Sequence, residues 1–341
     1  MRAVRIHQHG DASVLRFEDA PDPEAPLGWA LVRVRACALN HLDIWIRGGL
    51  PGIEIPMPHV LGSDIAGEVL DPGSANSIAA GTRVLVAPGV GCGRCAACSA
   101  GAENFCRDYT LLGYRIDGGY AELAAVPSAN LIPIPDRMSL VEAAAVPLVF
   151  LTAWHMLTER ARLQPGEDVL VQAAGSGVGS AAIQIAKLLG ARVFATSSES
   201  RKLELAKQLG AAAVLNNKEQ DVGAEVRRLT GKKGVEVVFE HVGAATWEAS
   251  LKSLAYGGRL VTCGSTSGAK VELDIRHLFG RQLVLAGSYM GGRGELHQVL
   301  QFVFDGRLKP VVDRTFPLAE AAAAHRHLES RKQFGKVVLE T

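Results

Sequence analysis

The sequence predicts a two-domain α/β protein: a strand-rich, barrel-like part followed by a parallel sheet covered with helices on both faces. Three observations carry this. Up to about residue 135, short apolar segments are broken by Gly and Pro, with little helical periodicity. From Asp168 onward, apolar strands alternate with amphipathic helices. A glycine-rich turn joins the first of those strands to its helix.

In the first part, strands are expected at 1–7, 29–37, 65–70, 83–87 and 120–126. Each alternates or runs apolar and is bounded by turn pairs such as Asp22-Pro23 and Pro88-Gly89. After Pro133 and Pro135, Ser139 with Glu142 three residues on forms a capping box that should open a helix. Six strands are then expected at 169–173, 192–196, 214–216, 235–240, 259–263 and 283–288, with helices at 180–189, 201–209 and 247–254 among those between them. The tail should hold helices near 295–305 and 319–328 and a last strand at 336–339. The expected division is 1–147 for the first domain, 148–288 for the second and 289–341 for a segment returning to the first.

Composition narrows the function classes. The 341 residues are 48% hydrophobic with 37 Gly, as suits a packed enzyme. Lys+Arg is 36 against 35 Asp+Glu, and no basic stripe stands out, so no nucleic-acid partner is expected. No apolar run approaches the about 18 residues of a membrane helix, and Met1–Gly10 lacks the apolar core of a signal peptide. The expected location is the cytoplasm, where clustered thiols among the six Cys mean metal or catalysis rather than disulfides.

Cys92, Cys95, Cys98 and Cys106 are the most specific signal. Four thiolates fill a tetrahedral Zn²⁺ shell and leave no position for water or substrate, so one structural zinc is expected in a lobe over about residues 88–110. Arg94 and Arg107 add positive charge that favours thiolate. The second signal is Gly175-Ser176-Gly177-Val178-Gly179 between strand and helix, where the backbone can approach a pyrophosphate at the helix N-terminus. The next strand ends in Ser197 and Ser198 with Arg201 and Lys202 beyond, and no carboxylate stands at its tip. Two hydroxyls and two cations there suit a 2′-phosphate, so NADPH is expected, with NADH the second choice. Gly243, Gly264 and Ser265 should edge the same cleft.

These features in this order resemble the medium-chain dehydrogenase/reductase superfamily over essentially the whole chain. That resemblance implies a GroES-like catalytic domain and a Rossmann domain, and it places the cysteine cluster in the structural zinc lobe of the alcohol dehydrogenase branch. The run Leu61 to Val69 looks like the family's G-H-E-x-x-G-x-V segment, and Asn40 to Asp43 like its C-x-x-D. The positions matching the catalytic zinc ligands are then Asn40, Ser63 and Leu148, and neither Asn nor Leu would retain Zn²⁺. Asn40-x-x-Asp43-x-x-x-Arg47-x-Gly49 instead is similar to the quinone oxidoreductase and enoyl reductase branch, as are the runs at 287–291 and 335–339. That branch lacks catalytic zinc and uses NADPH.

The resemblance therefore implies an NADPH-dependent reductase of activated double bonds or quinones acting on a small molecule. Asn40 and Ser63 are the first candidates for orienting the substrate oxygen or the nicotinamide ribose. His41 and Tyr289 are candidate proton donors, Asp43 an orienter and Arg47 its ion-pair partner. One alternative is an alcohol or aldehyde dehydrogenase with a displaced metal site drawn from Cys37, His41, His59 and Asp64. Another is a non-catalytic NADPH-binding relative. The apolar stretch 283–288, at the sheet edge and without a Pro guard, is expected to pair with a second copy, giving a homodimer or, doubled again, a homotetramer.

Overall fold

The computed structural model describes residues 1–73 and 78–341, and the chain divides into two compact units. One comprises Met1–Leu148 with Gly291–Thr341, the other Val149–Met290.

The first unit is built around Trp29–Ala38. Its alternating sequence sends Ala30, Val32 and Val34 into the core and leaves Arg33 and Arg35 outside. Along one edge it pairs with Asp64–Asp71; along the other, with Leu123–Pro127 at its start and Lys336–Glu340 at its end. Arg83–Val86 and Leu131–Pro133 extend one side of this sheet, and Val312–Pro317 extends the other. The core is a continuous cluster that includes Val34, Ile65, Tyr120 and Leu339. Several short strands, Arg16–Asp19 and Leu131–Pro133 among them, were not expected, and two further departures have a clear cause. Val312–Pro317 was not foreseen, because Asp313, Arg314 and a terminal Pro317 hide its pattern in an outer strand. The strand expected at 120–126 starts at Leu123, since Tyr120 bonds through its main chain to Val4 and Leu61 instead. The Ser139–Glu142 capping box is formed and opens the helix Leu140–Ala144.

The second unit is a six-stranded parallel sheet. Its strands are β1 (Asp168–Val171), β2 (Arg192–Ser197), β3 (Ala213–Asn216), β4 (Val235–Glu240), β5 (Leu254–Thr262) and β6 (Val284–Gly287), in the order 3-2-1-4-5-6. The order reverses between β1 and β4, which opens a crevice at the carboxyl ends of those strands. Central β1 is buried throughout, as a strand covered on both faces must be, whereas edge strand β6 leaves Val284 51% exposed. β5 starts at Leu254 rather than near 259, where the preceding helix Ala244–Ser253 ends. Among the described residues, no helix is long and apolar enough to cross a membrane.

Candidate functional site

In the first unit, register brings three polar residues to one point. Ala38 lies opposite Asp64 on one side and opposite Val338 on the other. Asn40, two residues on, precedes the helix His41–Gly48. Its amide Nδ2 donates to Asp64 Oδ2 at 3.0 Å, and its Oδ1 accepts from Lys336 Nζ at 2.6 Å. Lys336 also donates to Asp64 Oδ2 at 2.8 Å, while the Leu148 N–H donates to Asp64 Oδ1 at 2.8 Å. Lys336 and Asp64 are buried, at 4% and 0% side-chain exposure. Such a pair survives burial because hydrogen bonds satisfy the charges. Ser63, beside Asp64, is buried too, and its Oγ has no hydrogen-bond partner among the described residues.

Behind Asn40 runs a second chain of polar groups. Asp43 Oδ2 accepts the Asn40 N–H at 2.8 Å and the Tyr120 hydroxyl at 3.1 Å, and its Oδ1 is unpartnered. Burial pushes the Asp43 carboxyl up to about 6. His325 Nε2 lies 3.1 Å from the Tyr120 oxygen, and its Nδ1 lies 3.0 Å from Arg47. Arg47 can only donate, so Nδ1 accepts and Nε2 carries the proton. Burial, with the Arg47 charge beside it, lowers His325 to about 3 and keeps it neutral. Arg47 itself pairs with Glu329. The expected Asp43–Arg47 ion pair is therefore not made: Tyr120 and His325 stand between the two charges.

The other candidates fall as follows. His41 opens the helix after Asn40, half-buried, with its ring 6.3 Å from that of Trp45. Tyr289 belongs to the second unit and is 51% exposed. His59 has both ring nitrogens engaged, Nδ1 with Asp117 at 3.2 Å and Nε2 with the Gly113 carbonyl at 3.1 Å. Cys37 is a packed thiol, raised well above its ordinary range by burial and by Asp43 and Asp64. Gly62 explains why this corner is so constrained: at φ +101°, a Cβ there would lie 2.4 Å from Tyr120 and 2.7 Å from Cys37 Sγ.

The four cysteines of the lobe converge. Their sulfurs all lie within 4.8 Å of one another, and among the described residues no other group of three or more His, Cys, Asp or Glu is so placed. Cys92 Sγ and Cys98 Sγ are 4.0 Å apart, close to the spacing that Zn–S bonds of about 2.3 Å require in a tetrahedron. Cys95 caps the short helix Ala96–Ser99 and accepts the Cys98 N–H at 3.5 Å. Gly91 lets the wall close, since a Cβ there would sit 2.8 Å from Cys98 Sγ. The Cys92 thiol is lowered by the main-chain N–H groups of Arg94 and Cys95, not by the guanidinium charges the sequence suggested.

In the second unit, Ser176 caps the helix Gly177–Leu188, its Oγ accepting the Gly179 N–H at 2.9 Å. Gly179 must be glycine for close strand–helix packing, because a Cβ would meet the Ala173 carbonyl at 2.6 Å. Gly175 lies in the turn after β1 and Val178 in the first turn of the helix, whose free N–H groups are of the kind that accommodate a pyrophosphate. Gly243 and Gly264 hold the loops after β4 and β5 backbone to backbone: a Cβ on Gly243 would lie 3.0 Å from Ser265 Cα, and one on Gly264 2.7 Å from the His241 carbonyl. A cavity of about 250 Å³ opens beside these strand ends, lined by Gln172, Asn217, Val222, Thr246 and Lys252 among others.

At the tip of β2, Ser197 is buried and its Oγ accepts the Glu199 N–H at 3.3 Å; Ser198 is half-buried and Arg201 exposed. Lys202 is a correction. It is buried and turned to Glu199 at 2.8 Å, so its charge is already matched. Sequence reasoning also missed Lys336, Tyr120, His325 and Glu240 as parts of these sites. Buried Glu240 accepts from the main chain of Val242 at 2.6 Å and from the hydroxyl of Thr246 at 2.6 Å, fixing the loop after β4. The available signal was a lone charge inside an apolar strand: Lys336 before Val337-Val338-Leu339, and Glu240 after Val237-Val238-Phe239.

Comparison with known proteins agrees with this geometry. Residues 26–136 match the alcohol dehydrogenase GroES-like domain, and residues 177–305 the zinc-binding dehydrogenase family. A crystal structure of an NAD-dependent alcohol dehydrogenase is 48% identical, with a TM-score of 0.97 over 100% of both chains. An NAD-dependent alcohol dehydrogenase of Saccharolobus solfataricus is 32% identical over 99% of each chain. An acryloyl-coenzyme A reductase of Metallosphaera sedula is 30% identical over 100% of each.

Proposed function

The chain belongs to the medium-chain dehydrogenase/reductase superfamily and is an NAD(P)-dependent oxidoreductase; from that premise, we propose that it reduces activated C=C bonds or quinones with NADPH and without a catalytic metal. One observation carries the reading. Of the three positions that resemblance aligns with catalytic zinc ligands, Asn40 hydrogen-bonds into the Asp64–Lys336 pair, Leu148 offers Asp64 only its N–H, and Ser63 has a bare hydroxyl. None is a thiolate, imidazole or carboxylate, the donors zinc demands. His59, one of the alternative ligands, is spent on Asp117 and Gly113.

Bound NADPH supplies a hydride. The chain's own groups orient the acceptor and hold the charge that forms on its oxygen. Ser63 is the better candidate for touching that oxygen, because its hydroxyl is unspent. Asn40, committed through both ends of its amide, acts as a positioning residue for Asp64 and Lys336. His41 and Tyr289 remain the candidate proton donors. The turn Gly175–Gly179 takes the pyrophosphate, the loops at Gly243, Gly264 and Ser265 edge the cleft, and Ser197, Ser198 and Arg201 meet the 2′-phosphate. Zinc, one per chain, sits among Cys92, Cys95, Cys98 and Cys106 as a structural ion. The reading places the protein in the cytoplasm, where those thiols stay reduced, and as a homodimer or homotetramer built on β6.

A second cofactor reading has its own support. The Glu199–Lys202 pair puts a carboxylate just past β2 and removes one cation from a phosphate; both effects favour NADH. The activity proposal is tested by the rate of NADPH oxidation on quinones and α,β-unsaturated ketones against saturated aldehydes. Faster reduction of the conjugated acceptors is the expected result.

A further inference from the structure

The helix Arg293–Phe304 starts at Gly292, an N-cap with no side-chain oxygen to accept from the free N–H groups of the first turn. Two carboxylates accept there instead. Glu295, in the helix's own first turn, takes the Gly292 N–H at 2.8 Å. The other comes from the cysteine lobe, 190 residues away in the chain: Glu103 Oε1 takes the Arg293 N–H at 2.5 Å. Both negative charges stand at the positive end of the helix dipole. Glu103 lies between Cys98 and Cys106 and opens the turn Glu103–Phe105, whose C-cap is Cys106. A Cβ on Gly292 would lie 2.5 Å from the Gly101 carbonyl oxygen, so the helix start rests directly on the lobe's main chain. The Arg293 side chain ties a second point. Its Nη1 donates to the Ala129 carbonyl at 3.1 Å and to Asn130 Oδ1 at 3.2 Å. Asn130 donates in turn to the carbonyls of Ala87 and Gly89, at 2.8 and 2.7 Å, where the chain enters the lobe.

The lobe has little else to hold its shape. Among the described residues, neither of its short helices, Ala96–Ser99 and Glu103–Phe105, has a buried residue, and Phe105 is 63% exposed. What converges is the four sulfurs, all within 4.8 Å of one another. A loop without an apolar core takes its folding free energy from the metal that closes it. We propose that the cysteine lobe is a metal-dependent clamp: the filled site holds Gly101 and Glu103 against the first turn of Arg293–Phe304, and loss of the metal releases that turn. The clamp rests on the reading of the lobe as a zinc site. It acts where the chain, leaving the second unit at Met290, re-enters the first at Gly291. Met290 has a φ of +54°, in the left-handed region that a side chain disfavours. Such a conformation persists where the surrounding structure over-determines it, and the clamped turn two residues on supplies one fixed flank.

The test is hydrogen exchange of the full chain, read by mass spectrometry, with zinc content measured on each sample. The states compared are the protein as purified, the protein stripped of zinc by a chelator, and the variants Glu103→Ala and Glu103→Gln with zinc retained. In the stripped protein and in Glu103→Ala, the amides of residues 293–300 should exchange about tenfold faster. The helix Gly177–Leu188 of the second unit should keep its protection in every state. Glu103→Gln, whose amide oxygen still accepts, should fall between wild type and Glu103→Ala. Exchange at 293–300 that stays within about twofold of wild type, either after stripping or in zinc-loaded Glu103→Ala, overturns the proposal. If stripping unfolds the whole first unit, seen as lost protection in Trp29–Ala38, the zinc-loaded Glu103→Ala and Glu103→Gln proteins decide it. A protein that neither contains nor takes up zinc refutes the zinc reading and the metal dependence together, and Glu103→Ala then shows whether the lobe holds the helix at all.

Discussion

Tyr120 donates its hydroxyl to Asp43 at 3.1 Å, in a position where neither group reaches water. The same oxygen faces His325 Nε2 at 3.1 Å, so one phenol joins the carboxyl behind Asn40 to the neutral imidazole beside Arg47. Tyr120→Phe should leave the His325 Nε2–H unsatisfied in the core and take from Asp43 Oδ2 one of its two donors, the Asn40 N–H remaining. A destabilisation of about 1–3 kcal/mol is expected, read as a shift of the urea midpoint at unchanged slope. An unshifted midpoint would mean that the chain is not held through Tyr120.

Asp43 should make stability depend on pH. Its carboxyl is raised from 3.8 to about 6 by burial, so the folded state holds the proton more tightly than the unfolded one. Its burial is therefore tolerated fully below pH 4, and stability is lost as pH rises from 4 through 6. Asp43→Asn removes that dependence. Relative to wild type, the variant should gain by up to about 3 kcal/mol between pH 4 and 7. Parallel stability–pH curves for the two proteins would contradict this.

The cysteine cluster should contain one zinc per chain by elemental analysis of unsupplemented protein. Cys98→Ser should lower the melting temperature and release the metal, since a closed site contributes folding free energy directly. A ratio near two would reveal a second site and remove the basis for metal-free catalysis.

The proposed cofactor choice is tested at Glu199 and Arg201. Glu199→Gln frees Lys202 from its 2.8 Å ion pair and should tighten NADPH binding, while Arg201→Ala should weaken it by about tenfold, or 1.4 kcal/mol. NADH affinity should respond little to the Arg201 change. If wild type already prefers NADH, the Glu199–Lys202 pair is the feature that selects the cofactor.

The proposed assembly would use an apolar edge of the second unit. Val284 on β6 is 51% exposed, and Ile275 and Phe279 of the helix Ile275–Gly280 are 66% and 68% exposed. Phe279→Asp together with Val284→Lys should give monomers by light scattering at micromolar concentration. A wild-type monomer would refute pairing through this edge.

What could be read from the sequence was what is local or periodic. Cys92 to Cys106 span one short loop, the turn at Gly175–Gly179 follows its strand directly, and β4 was placed to the residue because Val235, Val237, Val238 and Phe239 make a compact β-branched and aromatic run that starts right after Gly234. Val312–Pro317 escaped because an outer strand need not alternate. The Asn40–Asp64–Lys336 group escaped for another reason: Asp64 and Lys336 are 272 residues apart, and only strand pairing across the sheet brings them together. Arg47 was given to Asp43 because they are one helical turn apart, yet its partner Glu329 lies 282 residues away.

The most direct test of metal-free conjugate reduction is one assay series on purified, unsupplemented enzyme with and without a zinc chelator. The expected result is NADPH oxidation with quinones or α,β-unsaturated carbonyls that outlasts brief chelation, because the zinc proposed for the cysteine cluster does no chemistry, and poor oxidation of ethanol or benzyl alcohol, which needs a Lewis acid to stabilise the alkoxide. Robust alcohol oxidation, lost on chelation and restored by added zinc, would contradict it.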